Sequence, residues 1–312
     1  MPWADDRRTA ADLEYCHALL RRGSKSFWAS ARLLPADMRN AFSAVYAFCR
    51  TADDAVDLGV PDAATLRALT ARIDRIYARS EPLEPGDRAL GAVVAQYHIP
   101  RTVFDALIEG FAWEVEGRRY ETISDLYAYS ARVASCVGMA VTLIMDRRDR
   151  ETLARACDLG VAMQLTNVAR DVGEDARAGR LYLPRDWMRE EGLDPEAFLA
   201  RPEFSPALGR VVQRVLREAE RLYARADDGI AALPERCRPA IRAARLIYED
   251  IGRVIANANY DSVSRRAWTS TPRKAWMLLR AVAALDGATP LAGGRRPPLL
   301  ETRFLVDAAE RA

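Results

Sequence analysis

Apolar residues recur at every third or fourth position along almost the whole of this 312-residue chain, and that period constrains the fold more than any other feature. The stretches TLRALTARIDRIYARS (65–80), LGRVVQRVLREAERLYARADDGIAAL (208–233) and AIRAARLIYEDIGRVIANANY (240–260) each place one apolar stripe along a helix of about 3.6 residues per turn. Segments that alternate with period two between hairpin turns are missing, so the expected fold is all-α. The breaks are short and carry proline: LLPADMR (33–39) reads as a helix start, SEPLEPGD (80–87) and YHIPRTV (97–103) as connections, and EEGLDPEAFLARPEFSP (190–206) as a proline-rich loop. None is long enough to link domains. The expectation is one helical domain over 1–312, with its core at about 15–285 and a loosely held tail at 286–312, where GATPLAGGRRPPLLETRFL concentrates Pro and Gly.

Charge and cysteine usage exclude several classes. The 46 basic and 44 acidic residues leave a net charge of +2, which gives no reason to expect a nucleic-acid partner. Only Lys25 and Lys274 are lysines, so arginine is abundant as a matter of composition and a single arginine says little by itself. Five widely spaced cysteines without a CxxC pair argue against a disulfide framework or a zinc site and fit a reducing cytosol. His17 and His98 are isolated in sequence, as packing histidines are. The opening MPWADDRRTAADLEY carries charges where a signal peptide needs an apolar run, and no apolar stretch is expected to reach the ~20 residues that span a bilayer. The expectation is a soluble protein that at most lies on a membrane.

Two acidic motifs carry the chemistry. In MQLTNVARDVGEDARAGRLYLP (163–184), Gln164, Asn167, Asp171 and Asp175 fall within roughly 80° of arc on a helix, beside an apolar stripe of Val161, Leu165, Val168 and Val172. In VYAFCRTADDAVD (45–57), Tyr46, Arg50, Asp53 and Asp57 share a face in the same way. Acids spaced by four also make ordinary solvated helix faces paired with basic residues. Against that stands the 163–184 motif, whose acids and amides emerge from an apolar helix. Four carboxylates facing one space repel unless cations sit between them. Mg²⁺, with Mn²⁺ as the other candidate, takes oxygen ligands, keeps some waters and bridges carboxylates to phosphates. Arg50 and Arg170 add forked donors for phosphate oxygens. A metal-bound diphosphate is the natural guest.

GSKSFWASARLLPADMR (23–39), YAFCRTADDAVD (46–57), AMQLTNVARDVGEDARAGRLYLP (162–184) and YDSVSRR (260–266) resemble the bacterial phytoene synthases of the squalene and phytoene synthase superfamily, over about Tyr15 to Arg280. The resemblance implies an all-α isoprenoid (trans-prenyl) synthase bundle with a central cavity. It implies head-to-head condensation of two geranylgeranyl diphosphates, through prephytoene diphosphate, to phytoene in carotenoid biosynthesis. By the same resemblance Asp53 and Asp57 form the first metal motif, and Asn167, Asp171 and Asp175 the second. Ser24, Ser26, Tyr46, Arg50, Gln164, Arg170, Tyr248 and Arg265 fall where the family contacts diphosphate or supports the site. A carbocation needs shelter from water, and DLYAYSARVASCVGMAVTLIM (125–145) is the expected chamber wall, with Ala131, Ala134, Ser135 and Gly138 leaving room for a prenyl chain or merely allowing close helix packing. An oily product implies peripheral membrane contact, for which RRAWTSTPRKAWMLLRAV (265–282) is the basic and aromatic candidate, and implies downstream carotenoid enzymes as consumers. No nicotinamide is expected. The competing readings are a C30 sibling working on farnesyl diphosphate, a hydrolase or terpene cyclase working on one substrate, and a helical scaffold with no activity.

Overall fold

A computed structural model describes residues 7–57, 62–81, 83–283 and 296–311, and among them there is no strand. In chain order the helices are α1 (Arg7–Gly23), α2 (Lys25–Ala31), α3 (Ala36–Asp57), α4 (Ala63–Ala78), α5 (Pro85–Gln96), α6 (Thr102–Val115), α7 (Ile123–Ser130), α8 (Cys136–Ile144), α9 (Arg150–Arg177), α10 (Arg185–Glu190), α11 (Pro195–Ala200), α12 (Pro206–Ala232), α13 (Arg238–Asn257), α14 (Thr271–Ala283) and α15 (Arg303–Glu310). A π-helical turn, Ala131–Ser135, joins α7 to α8.

Helix starts follow local chemistry. Asp149 caps α9 by accepting from Thr152 N at 2.9 Å, and Ser205 caps α12 by accepting from Leu208 N at 3.2 Å. Thr122 and Asp125 close a capping box at α7, and Pro85, Pro195 and Pro206 stand in first turns, where a missing N–H costs nothing. The stretch read as a proline-rich loop therefore contains α11: Asp194 accepts from Glu196 N at 3.0 Å, and the D-P-E order is a helix start in miniature.

The 28-residue α9 is the axis of the molecule. It packs against α12, α13, α8, α7 and α15. Gly160 lets α9 approach the π turn so closely that an added Cβ would lie 2.6 Å from Ser135 Cα. One apolar cluster gathers α1, α3, α4, α5, α6, α8 and the start of α9, and a second gathers α7, the rest of α9, α12 and α13. A cavity of about 750 Å³ is lined from both, by Phe42 and Phe111 of the first and by Val168 and Tyr248 of the second.

Two expectations need correction. α15 is not a loose tail: Leu305, Val306 and Ala309 are fully buried, and Arg150 holds Asp307 and Glu310 at 2.7 and 2.8 Å. The Pro and Gly content of the residues before it obscured a short amphipathic helix; residues 286–295 and 312 lie outside the described residues. The continuous helical run Ile123–Ile144 is 22 residues and apolar enough by length and composition to cross a membrane, contrary to the sequence reading, yet 61% of its apolar window is buried inside the fold. It is an inner wall of the cavity.

Candidate active site

α3 and α9 bring the two acidic motifs to one end of the cavity. Tyr46, Arg50 and Asp53 line it from α3, and Gln164, Asn167, Arg170, Asp171 and Asp175 line it from α9. Ser24 and Ser26 line it at the α1–α2 junction, where Ser24 also caps α2 by accepting from Phe27 N at 3.1 Å. Tyr248 reaches it from α13, its ring 5.4 Å from that of Phe27. Asp57 ends α3, and its side chain lies outside the described residues. Arg265 is exposed and does not line the cavity; its neighbour Arg266 does.

Arginines already sit on the carboxylates. Arg50 lies 3.7 Å from Asp53 and 2.5 Å from Asp54. Arg170 forks onto Asp171 at 2.8 and 2.5 Å, and Arg266 donates to the same carboxylate at 2.7 Å. Burial alone would raise the Asp171 carboxyl, but Arg170 and Arg266 outweigh it and hold it below its ordinary range. Asp175 is in the opposite state. Burial first and then the charge of Asp171 push it up to about 7, with Arg180 pulling the other way and Glu174 and Glu114 adding smaller upward pushes. One turn further in, Asn167 donates Nδ2 to Gln164 Oε1 at 3.2 Å, while its Oδ1 is buried with no hydrogen-bond partner. Asn167 Oδ1 is thus an orphaned buried acceptor one turn before Asp171, and Asp175, one turn after it, is a carboxyl that resists ionisation; both are points on one stripe where a cation would be favourable.

Arg266 arrives by a route that sequence spacing does not reveal. After α13 the chain turns through left-handed Asn259 (φ 54°) and Tyr260 (φ 61°). Tyr260 is held by Gln213 Nε2 at 2.9 Å, and Asp261 accepts from Val263 N and Ser264 N at 3.1 and 2.9 Å. Gly173, between Asp171 and Asp175, then donates its N–H to Ser262 O at 3.0 Å, and a Cβ there would lie 2.5 Å from Val263 O. The missing side chain lets this turn lie on α9 and deliver Arg266.

Other cavity residues escaped the sequence reading. Lys25 and Lys274, the only lysines of the chain, both line the cavity, and burial followed by the charge of Lys25 lowers the Lys274 pKa. Their rarity in an arginine-rich chain was the available signal. On the far side of Asp175, the Tyr129 hydroxyl donates to Glu114, the Tyr182 hydroxyl donates to it at 3.4 Å, and the rings of Tyr129 and Tyr182 stack at 5.1 Å. No spacing rule joins these three, which come from α6, α7 and the segment after α9.

Away from the charges the lining turns apolar: Phe42, Leu107, Phe111, Val133, Val137 and Val141 among others. Of the four small residues expected to make room, Ala134 and Gly138 do line the cavity. Ala131 and Ser135 are buried away from it, and Ser135 Oγ donates to Cys157 O at 2.8 Å, so it serves helix packing.

A charged, oxygen-rich end joined to an oily chamber suits an amphiphile with a polyanionic head. Comparison with known proteins agrees: the sequence model of squalene/phytoene synthase matches residues 20–274. The chain belongs to the squalene/phytoene synthase family. Within that family it is 50% identical to the phytoene synthase of Rhodobacter capsulatus, over 96% of this chain and 90% of that one. It is 40% identical to the 15-cis-phytoene synthase of Pantoea ananas, over 83% and 87%. Among solved structures, a dehydrosqualene synthase bound to a ligand superposes with a TM-score of 0.82 at 29% identity, covering 90% of this chain and 98% of that one. The all-α isoprenoid synthase fold of the squalene/phytoene synthase family is therefore the fold of this protein.

Proposed function

We propose that this protein joins two molecules of geranylgeranyl diphosphate head to head, through prephytoene diphosphate, to phytoene, with release of diphosphate, as a step of carotenoid biosynthesis. The observation that carries the product is the 50% identity to a phytoene synthase across nearly the whole chain, against 29% to the dehydrosqualene synthase. The cavity supports the chemistry, since its charged end takes a diphosphate and its apolar length takes prenyl chains.

The residues present fit Mg²⁺. Asn167 Oδ1 lacks a hydrogen-bond partner, the Asp175 carboxyl is pushed up to about 7 despite Arg180, and carboxylate and amide oxygens are the donors a hard ion takes. Among the described residues no three acidic, His or Cys groups stand close enough to hold an ion unaided, so substrate phosphate and water would have to supply further ligands. Asp53, Asp57, Asn167, Asp171 and Asp175 are the proposed ligands. When bound, the ion acts as a Lewis acid on the leaving diphosphate. Arg50, Arg170, Lys25, Lys274, Ser24, Ser26 and Gln164 then bind and orient the phosphate oxygens, with Arg265 as the sequence-expected contact and Arg266 as the one facing the cavity. Phe27, Tyr46 and Tyr248 line the cavity and pack ring to ring, Phe27 lying 6.2 Å from Tyr46 and 5.4 Å from Tyr248, so they keep water from the space where an allylic cation would develop. The deciding experiment is incubation with Mg²⁺ and geranylgeranyl diphosphate without a nicotinamide, followed by chromatography of the apolar extract. A C40 triene supports the reading; a C30 product from farnesyl diphosphate alone replaces it with the sibling reaction.

Product release belongs to the same proposal. Trp268, just before α14, and Trp276 and Leu279 on it are 73%, 57% and 58% exposed, and Arg280 stands on the same helix as the cavity-lining Lys274, with Arg273 paired to Asp250. An apolar stripe edged with basic residues is the surface of an interfacial helix. Binding to anionic vesicles at low salt that weakens in Trp276→Ser supports peripheral contact; no binding by the parent protein refutes it.

A further inference from the structure

The end of the cavity remote from the acids holds a feature that diphosphate chemistry does not use. Arg155 of α9 lines the cavity there with Thr142, Met145, Thr152, Ala156 and Leu233, yet it is only 1% exposed. Its Nε lies 2.9 Å from Asp158 Oδ2, and its Nη2 donates to the carbonyls of Arg296 and Pro297 at 3.1 and 3.3 Å. Arg225 of α12 donates to the same Asp158 oxygen and to the same Pro297 carbonyl, both at 2.9 Å. Asp158 is wholly buried. The Arg155 stem passes directly over Gly229, where a Cβ would collide with its Cβ and Cγ. A buried guanidinium fixed at one end by a carboxylate and at the other by two carbonyls cannot swing aside as an aliphatic side chain can.

We propose that Arg155 is the fixed end wall of the prenyl-chain chamber and sets the longest chain the enzyme accepts. The inference rests on the prenyl diphosphate reading above. Distance supports it: from Asp171 to Arg155 is ~24 Å along α9 at about 1.5 Å per residue, on the order of an extended C20 chain attached to a diphosphate at the acidic end. Chemistry supports it too. A leucine or methionine wall yields to a longer chain by changing rotamer, whereas a guanidinium paired with Asp158 and hydrogen-bonded to the Arg296 and Pro297 carbonyls gives way only by separating a buried ion pair and breaking two hydrogen bonds. The C-terminal residues before α15 thereby gain a function, since their carbonyls hold the wall in place.

The test is a chain-length profile. The parent and Arg155→Ala are compared for kcat/KM on the C15, C20 and C25 all-trans prenyl diphosphates with Mg²⁺. Asp158 keeps Arg225 as its partner in the variant, so its charge is not stranded. Arg155→Ala is expected to raise the C25 to C20 ratio by about tenfold or more, the scale on which apolar pockets discriminate added methylenes. Ala156→Leu, which fills the same end without touching the charges, is expected to lower the C20 to C15 ratio by a similar factor. It carries the test alone if Arg155→Ala does not fold. Ratios unchanged from the parent in a folded variant overturn the proposal. A parent that turns over none of the three overturns the functional reading instead, and binding titrations of the C20 and C25 diphosphates to the same variants then decide where the chamber ends.

Discussion

Asp175→Asn should make the metal-free protein more stable while destroying its activity, and the size of the effect follows from the site. The carboxyl is raised from the usual 3.8 to about 7 by burial and by Asp171, Glu174 and Glu114. A folded pKa above the unfolded one means that the native state holds this proton more tightly. The associated stability is fully present below pH 3.8 and is lost as pH climbs through 7. About three units at ~1.4 kcal/mol each gives about 4 kcal/mol at most. Asp175 is only partly buried and solvent screens it, so on the order of 2 kcal/mol is the working figure. The asparagine keeps the shape and has no proton to lose. Its advantage in melting temperature, measured by calorimetry in chelator, should grow from pH 4 to pH 7, level off above it, and reach several degrees. Saturating Mg²⁺ should reverse the order, because an ion bound to the native state stabilises the parent and not the variant. An advantage that does not change with pH, or a variant less stable than the parent at pH 8 without metal, would refute the reasoning.

Three further outcomes are expected. Asp53→Ala and Asp171→Ala should each abolish formation of the apolar product while the helical circular dichroism stays that of the parent; turnover at the parental rate in either removes the metal assignment. Gly173→Ala should cost about 1–3 kcal/mol of stability, because its Cβ would lie 2.5 Å from Val263 O, and it should also lower turnover by displacing the turn that carries Arg266. Leu305→Ala should cost about 2–5 kcal/mol by emptying a fully buried position of α15, read as a lower denaturant midpoint with an unchanged KM, which separates a packing role from a site role.

How far the sequence could be read depended on whether the contacts were local. Asp171 and Asp175 on α9, and Arg50 and Asp53 on α3, are spaced by three and four, so one helical period places them on a face before anything else is known. The caps of α9 and α12 are equally local. The cavity wall was legible in outline, but which small residues face the space depends on the π turn at Ala131–Ser135 and on how Gly160 seats it, and neither is written in a period of 3.6. Arg155 looked like one arginine among many, because its meaning comes from the carbonyls of Arg296 and Pro297, more than a hundred residues away. The adjacent pair Arg265 and Arg266 shows the limit most clearly. The resemblance points to the first, whereas the second lies on Asp171. Neighbours in an irregular segment point to different sides, and what selects between them here is the register set by the Gly173 N–H on Ser262 O and by two left-handed residues before it. That register is a tertiary contact. It also makes Gly173 part of the site without a side chain of its own, since the charge balance at Asp171 depends on how closely the Arg266 turn lies on α9.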